Sequence, residues 1–222
     1  MTDFDLIFAL LSLLLGLSIA ELLSGFARIL RLQARQRAAA KGALRVNDAD
    51  DAPPPVRVGL LVPLLGAFVL LDQLSFFTAA YAYRNAIPAN MFWLLAITLV
   101  VGGYYVVATL IFPEEPGDWP DFDRYYDEHN RVVLGFALFT QGAQLLMNAL
   151  VPRAEKGVLD TAPTPPALLA FMLVLVFATF PLLIATYRAR NRRTNAVLLG
   201  TLVGQRLLIA ALSLWLAPKG MA

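Results

Sequence analysis

Cysteine is absent from this 222-residue chain, and histidine occurs once, at His129. These scarcities exclude disulfides, thiol nucleophiles, thiolate metal sites and any metal centre or triad that needs two histidines from one chain. Charge is scarce as well. Asp, Glu, Lys and Arg make up 15% of the residues, against roughly 25% in soluble domains. The net charge is only +2, so no bulk basic character points to nucleic acid. What the chain has is apolar surface: 59% hydrophobic residues and a mean hydropathy of +0.65. In water that surface would stay exposed; lipid is the solvent that suits it.

The apolar residues gather into six runs, roughly 6–30, 58–81, 91–112, 132–151, 168–187 and 196–216. About 20 apolar residues cross the hydrocarbon as a helix. The expected fold is therefore all-α: one polytopic membrane domain over 1–222, a bundle of six transmembrane helices. The first run starts with Asp3 and Asp5 and has no basic flank. It reads as a retained span and not as a cleaved signal peptide.

Orientation follows from Lys and Arg. Segments 31–57, 113–131 and 188–195, with their flanks, hold thirteen of them; the opposite side holds four, at Arg84, Arg153, Lys156 and Lys219. The rule that basic loops stay inside predicts a multi-pass plasma (inner) membrane protein with both termini extracytoplasmic. Tyr81, Tyr83, Phe92, Trp93 and Trp215 fall at the outer edge, and Trp119, Tyr125, Tyr126 and Tyr187 at the inner one. Residues 31–40 should prolong the first helix until Gly42 and the Ala-Pro-Pro-Pro of 52–55 turn the chain back. Arg31, Arg35 and Arg37 on that extension can meet anionic headgroups, at about 1 kcal/mol each. In the second inner segment, Asp118 is placed to cap a helix with Pro120 near its first turn, running on into the fourth span.

Three charges interrupt the apolar runs: Glu21, Asp72 and Arg206. Ionisable groups at such depth face a bundle interior and pair with one another. At about 1.5 Å per residue, Glu21 lies roughly 10–13 Å, Arg206 roughly 16 Å and Asp72 roughly 21 Å from the inner edge. An unpaired charge there costs at least about 2.5–3.5 kcal/mol, so the expectation is one network in which Arg206, whose planar fork suits either carboxylate, neutralises one of them and the other is protonated or hydrated. Gln73 and Gln205 flank it in sequence. Gln141, Gln144 and Asn148 share one helix face, and Tyr104 lies at a similar depth to Glu21.

Small residues suggest which helices approach. Ser12, Gly16, Ala20 and Ser24 recur every fourth residue, and Gly200 and Gly204 precede Gln205 and Arg206. Packing of spans one and six through these ridges would bring Glu21 to Arg206. Pro63 and Pro181 lie inside spans and can kink them.

The enzyme-like feature is the acidic inner segment, with Asp123, Asp127 and His129 as its weak metal candidates. Its spacing matches no metal motif and no Gly-rich phosphate loop accompanies it. No cofactor is called for. The expected function is a non-enzymatic accessory, scaffold or sensor bundle that meets a membrane-protein partner or a second copy laterally or at the cytoplasmic face. The alternative is a small transporter or proton-coupled carrier using Glu21, Asp72 and Arg206.

Overall fold

A backbone in hydrocarbon has no water to bond, so an apolar run satisfies its own amides as a helix. The computed structural model describes residues 3–41, 56–82, 90–115, 118–150 and 166–216. Gly42, the 52–55 segment, Tyr83 and the four outer-side basic residues lie outside the described residues, as do the side chains of Asn148 and Trp215. Six helices form: α1 (Asp3–Ala40), α2 (Leu61–Ala82), α3 (Met91–Ile111), α4 (Phe122–Leu150), α5 (Pro166–Arg188) and α6 (Arg192–Leu216). Five of them, α1, α2, α3, α5 and α6, are long and apolar enough to cross a membrane. Among the described residues α4 is not one of these; its first turns carry Asp123, Arg124, Asp127, Glu128 and Arg131.

The helix ends have local causes. Asn90 caps α3, its side chain accepting from the Trp93 amide at 3.0 Å. Phe112 leaves α3 in extended geometry, as the residue before Pro113 must. Asp121, and not Asp118, caps α4: its Oδ1 accepts from the Asp123 amide at 3.0 Å. Asn191 caps α6 by accepting from the Arg193 amide at 3.0 Å. Pro63 falls in the first turn of α2, where a missing N–H interrupts no helical bond, so the kink expected of it is not required. Pro181 does lie in the interior of α5.

Helices α2, α4, α5 and α6 form a ring in which each packs on the next, and α6 closes onto α2. α1 and α3 make a second layer, α1 packing on α3 and α2, and α3 reaching α4. Across the ring, α4 and α6 present matched inner stripes: Asn130, Leu134, Ala137 and Gln141 on one, Asn195, Leu199, Leu202 and Arg206 on the other, all buried. Both stripes step by four, three and four residues, the repeat that keeps one helix face inward. Leu183 of α5 is fully buried as well. The outer faces are apolar, with Leu13, Leu17, Leu99, Phe177 and Leu214 exposed, the arrangement a lipid solvent favours.

The helix ends near Arg57 and Asp121 are fastened by polar contacts. Arg57 and Asp121 form a short bridge, with the Arg57 amide on Pro120 O at 2.9 Å and the Phe122 amide on Arg57 O at 3.1 Å. Asp123 Oδ1 accepts from the Leu61 amide at 3.4 Å, which caps α2 from another helix. The Gln36 amide group donates to Val56 O at 3.0 Å, holding the α1 extension to the returning chain. Tyr125 donates its hydroxyl to Leu110 O at 2.8 Å. Burial, then the nearby Glu114, push that phenol up, so it remains a donor at neutral pH.

Candidate functional site

Consecutive residues on a helix point about 100° apart. The pair Asp72-Gln73 on α2 therefore serves two neighbours, and so does Gln205-Arg206 on α6. Asp72 turns into the ring. Its Oδ1 accepts from Arg206 at 2.7 Å and from Gln141 at 2.5 Å, and its Oδ2 accepts from the Tyr104 hydroxyl at 2.7 Å. One carboxylate thus joins α2, α3, α4 and α6. Gln73 turns the other way and donates to Ser18 of α1 at 2.8 Å. Gln205 donates to Thr179 of α5 at 3.0 Å and to Leu175 O. A single polar layer therefore ties all six helices.

The layer is closed. Asp72 and Tyr104 are each 1% exposed and Arg206 is 7% exposed. Rings seal it: Tyr104 lies edge-on to Phe136, with centroids 5.3 Å apart, and 5.5 Å from Phe76. A Cβ on Gly103 would run into Phe136, so that position must be small for α3 and α4 to bring tyrosine and glutamine to the same carboxylate. Towards the Arg192 end the ring is plugged by Leu134, Leu183, Leu199 and Leu202, all fully buried. Arg206 reaches Asp72 through one nitrogen, NH2, and not as a two-pronged fork; its Nε is buried with no acceptor among the described residues. Gln144 lies one turn beyond Gln141, its amide nitrogen buried and likewise without a partner there.

Glu21 is not brought to this layer. Its carboxylate accepts from Arg28 of the same helix at 2.7 Å, and both side chains are 31% exposed. The physical reason is the packing of α1. Its buried stripe, Leu11, Leu15, Ser18, Leu22 and Ile29, faces α2 and α3. The small-residue ridge lies elsewhere: four-residue steps drift around a helix by about 40° each, and Gly16, Ala20 and Ser24 are exposed on the outer side. Ser12 turns its hydroxyl back onto Phe8 O at 2.7 Å. A Cβ on Gly16, Gly200 or Gly204 would meet nothing within 4 Å. The expected pairing of spans one and six through these ridges is thus corrected: α1 packs chiefly on α3, and α6 on α2 and α5. The glycine α1 uses for close approach is Gly25, where a Cβ would collide with the ring of Phe112, which also presses on Gly66 of α2.

At the rim of the bundle near Asp121, Asp127 accepts from Arg192 Nε at 2.9 Å and pairs with its NH2 at 2.8 Å, while Asp121 accepts from NH1 at 2.9 Å. Asp123 serves the α2 amide, and His129 stacks on Tyr125 with centroids 4.1 Å apart. Among the described residues no three His, Asp or Glu side chains assemble as metal ligands. Ser18, Thr179 and Arg192 were not singled out by sequence. Short hydroxyls are common in spans, and nothing in the run of arginines at 188–193 marks which one turns back onto α4.

No protein-family model, no curated protein and no solved structure matches this chain.

Proposed function

We propose that the chain is a non-enzymatic scaffold or sensor bundle of the plasma membrane, whose closed charge layer fixes the helix arrangement and whose outer face meets its partner laterally. The observation that carries this reading is the saturation of Asp72: a carboxylate with three protein donors and 1% exposure has no free face to offer a travelling ion. The separate engagement of Glu21 by Arg28 supports the same reading, because a carrier using both carboxylates would hold them in one cavity. The exposed face of Gly16, Ala20 and Ser24 leaves α1 free for a neighbour.

In this reading α4 is the sixth span and both termini face outward. The bond from Gln141 to Asp72 supports counting α4 among the spans, and the thirteen-to-four split of basic residues supports the orientation. Because the chain lacks cysteine, single cysteines at 4 and 220 label cleanly. Labelling of whole cells by an impermeant maleimide is the expected outcome; protection of both would reverse the topology.

Function is tested by proton flux in liposomes across an imposed pH gradient. The scaffold reading expects wild type and Asp72→Asn to leak equally slowly. Wild-type flux well above the leak of empty liposomes, lost in Asp72→Asn that still elutes as a folded species, would overturn it in favour of the carrier.

A further inference from the structure

The inner end of α1 carries more arginine than the fold uses. α1 stays helical to Ala40, so its residues keep phase beyond the hydrocarbon. At about 100° per residue, Arg35 lies about 20° and Arg31 about 60° from Arg28 around the helix, while Arg37 lies about 180° away. Arg31 and Arg35 are exposed, and among the described residues neither enters an ion pair, in contrast to Arg28, Arg124, Arg192 and Arg206. Arg28 gives NH2 to Glu21 and keeps a buried Nε with no acceptor among the described residues. The level of Arg28 is marked by aromatics: its charge acts on Tyr125, and Trp119 lies edge-on to Tyr125 with centroids 5.0 Å apart. Trp and Tyr of this kind sit at the headgroup layer. Seven residues carry the face about 10 Å outward, enough to cross that layer.

We propose that Arg28, Arg31 and Arg35 form a binding site for the phosphate of an anionic phospholipid, with Arg37 outside it. With Arg28 answering Glu21, the two exposed guanidiniums of Arg31 and Arg35 leave a net positive face, and the guanidinium fork suits phosphate oxygens. The ligand comes from the bilayer, because the face begins at the membrane edge and runs through the headgroup layer. The inference rests on the membrane placement of this end and not on the scaffold reading; it stands or falls by lipid binding, whatever partner the bundle has.

The test is lipid binding to the purified full chain in neutral detergent, read by native mass spectrometry with phosphatidylglycerol, phosphatidylcholine and inorganic phosphate as probes. Phosphatidylglycerol is expected to bind more tightly than phosphatidylcholine. The double variant Arg31→Gln/Arg35→Gln, altered only at exposed positions, should bind it about 30-fold more weakly, about 5-fold per arginine. Arg37→Gln should bind as wild type does. Equal affinity for the two lipids, or a double variant that binds like the wild type, would overturn the site. A loss in Arg37→Gln as large as in the double variant would replace it with a diffuse basic surface. Inorganic phosphate competing as well as the lipid would overturn the bilayer as its source.

Discussion

Two arginines of α6 hold carboxylates at nearly the same distance in opposite surroundings. Arg206 meets Asp72 at 2.7 Å with 8% and 1% of the two side chains exposed. Arg192 meets Asp121 at 2.9 Å and Asp127 at 2.8 Å with 43%, 27% and 41% exposed. The rim contact has the better geometry, two carboxylates on one fork, yet water screens it. The inner contact is single-pronged, but nothing except protein answers its charge. Geometry alone therefore does not rank them; the medium does. Removing one partner of the inner pair leaves a buried charge unanswered. Arg206→Gln is expected to destabilise the protein by about 3–5 kcal/mol, measured as unfolding in detergent. Asp72→Asn with Arg206→Gln should cost clearly less than the sum of the two single variants. Additive losses would mean that the two residues do not act as a pair.

Packing provides a control that involves neither arginine. Gly25→Ala drives a methyl into the Phe112 ring between α1 and α2, with an expected loss of about 1–3 kcal/mol. Gly16→Ala points into open space and should be neutral, or stabilising by up to about 1 kcal/mol through helix propensity. Equal effects of the two would contradict the orientation of α1. The same two glycines show where sequence reading stops. Periodicity of four marks Gly16, Ala20 and Ser24 as a surface on which another helix could lie, but spacing carries no address. The approach is decided by a large ring, Phe112, which must enter between α1 and α2 and finds room only where Gly25 and Gly66 face it.

The charges were legible for a related reason. Asp72 and Arg206 each stand alone in an apolar run, and an isolated charge in hydrocarbon announces itself. So do Gln141 and Tyr104, polar groups inside apolar runs. Glu21 announces itself equally, yet its partner is Arg28, seven residues along its own helix. Depth narrows the choice of partners but not the azimuth, and azimuth is set by which stripe of α1 is buried. The six apolar runs forecast six helices, whereas Asp121 in place of Asp118 as the cap of α4 depended on the bridge to Arg57, a contact between segments 64 residues apart.

The neutral donors of the inner cluster should cost less than its charge. Tyr104→Phe and Gln141→Leu each remove one bond to Asp72 and leave two. Polar contacts between membrane helices average about 0.6 kcal/mol and reach about 1.7, so each variant should fall in that range. A loss as large as that of Arg206→Gln would show that the carboxylate is held by its hydrogen bonds and not by its counter-charge.

The smallest effect belongs to the rim. Arg192→Gln breaks an exposed contact, worth about 0.2–1 kcal/mol, and its loss should be concentrated at low salt. At 1 M salt the screening length is about 3 Å, no longer than the contact itself, and variant and wild type should then unfold together. Arg206→Gln should keep its full deficit at the same salt, because mobile ions do not enter a layer sealed by Phe136 and the leucine plug. The comparison of salt slopes thus separates the two arginines without reference to absolute stability. A salt-independent loss at Arg192 would mean that the Asp121–Asp127 clasp positions α4 through its geometry, in the way Asp72 positions the four helices it joins.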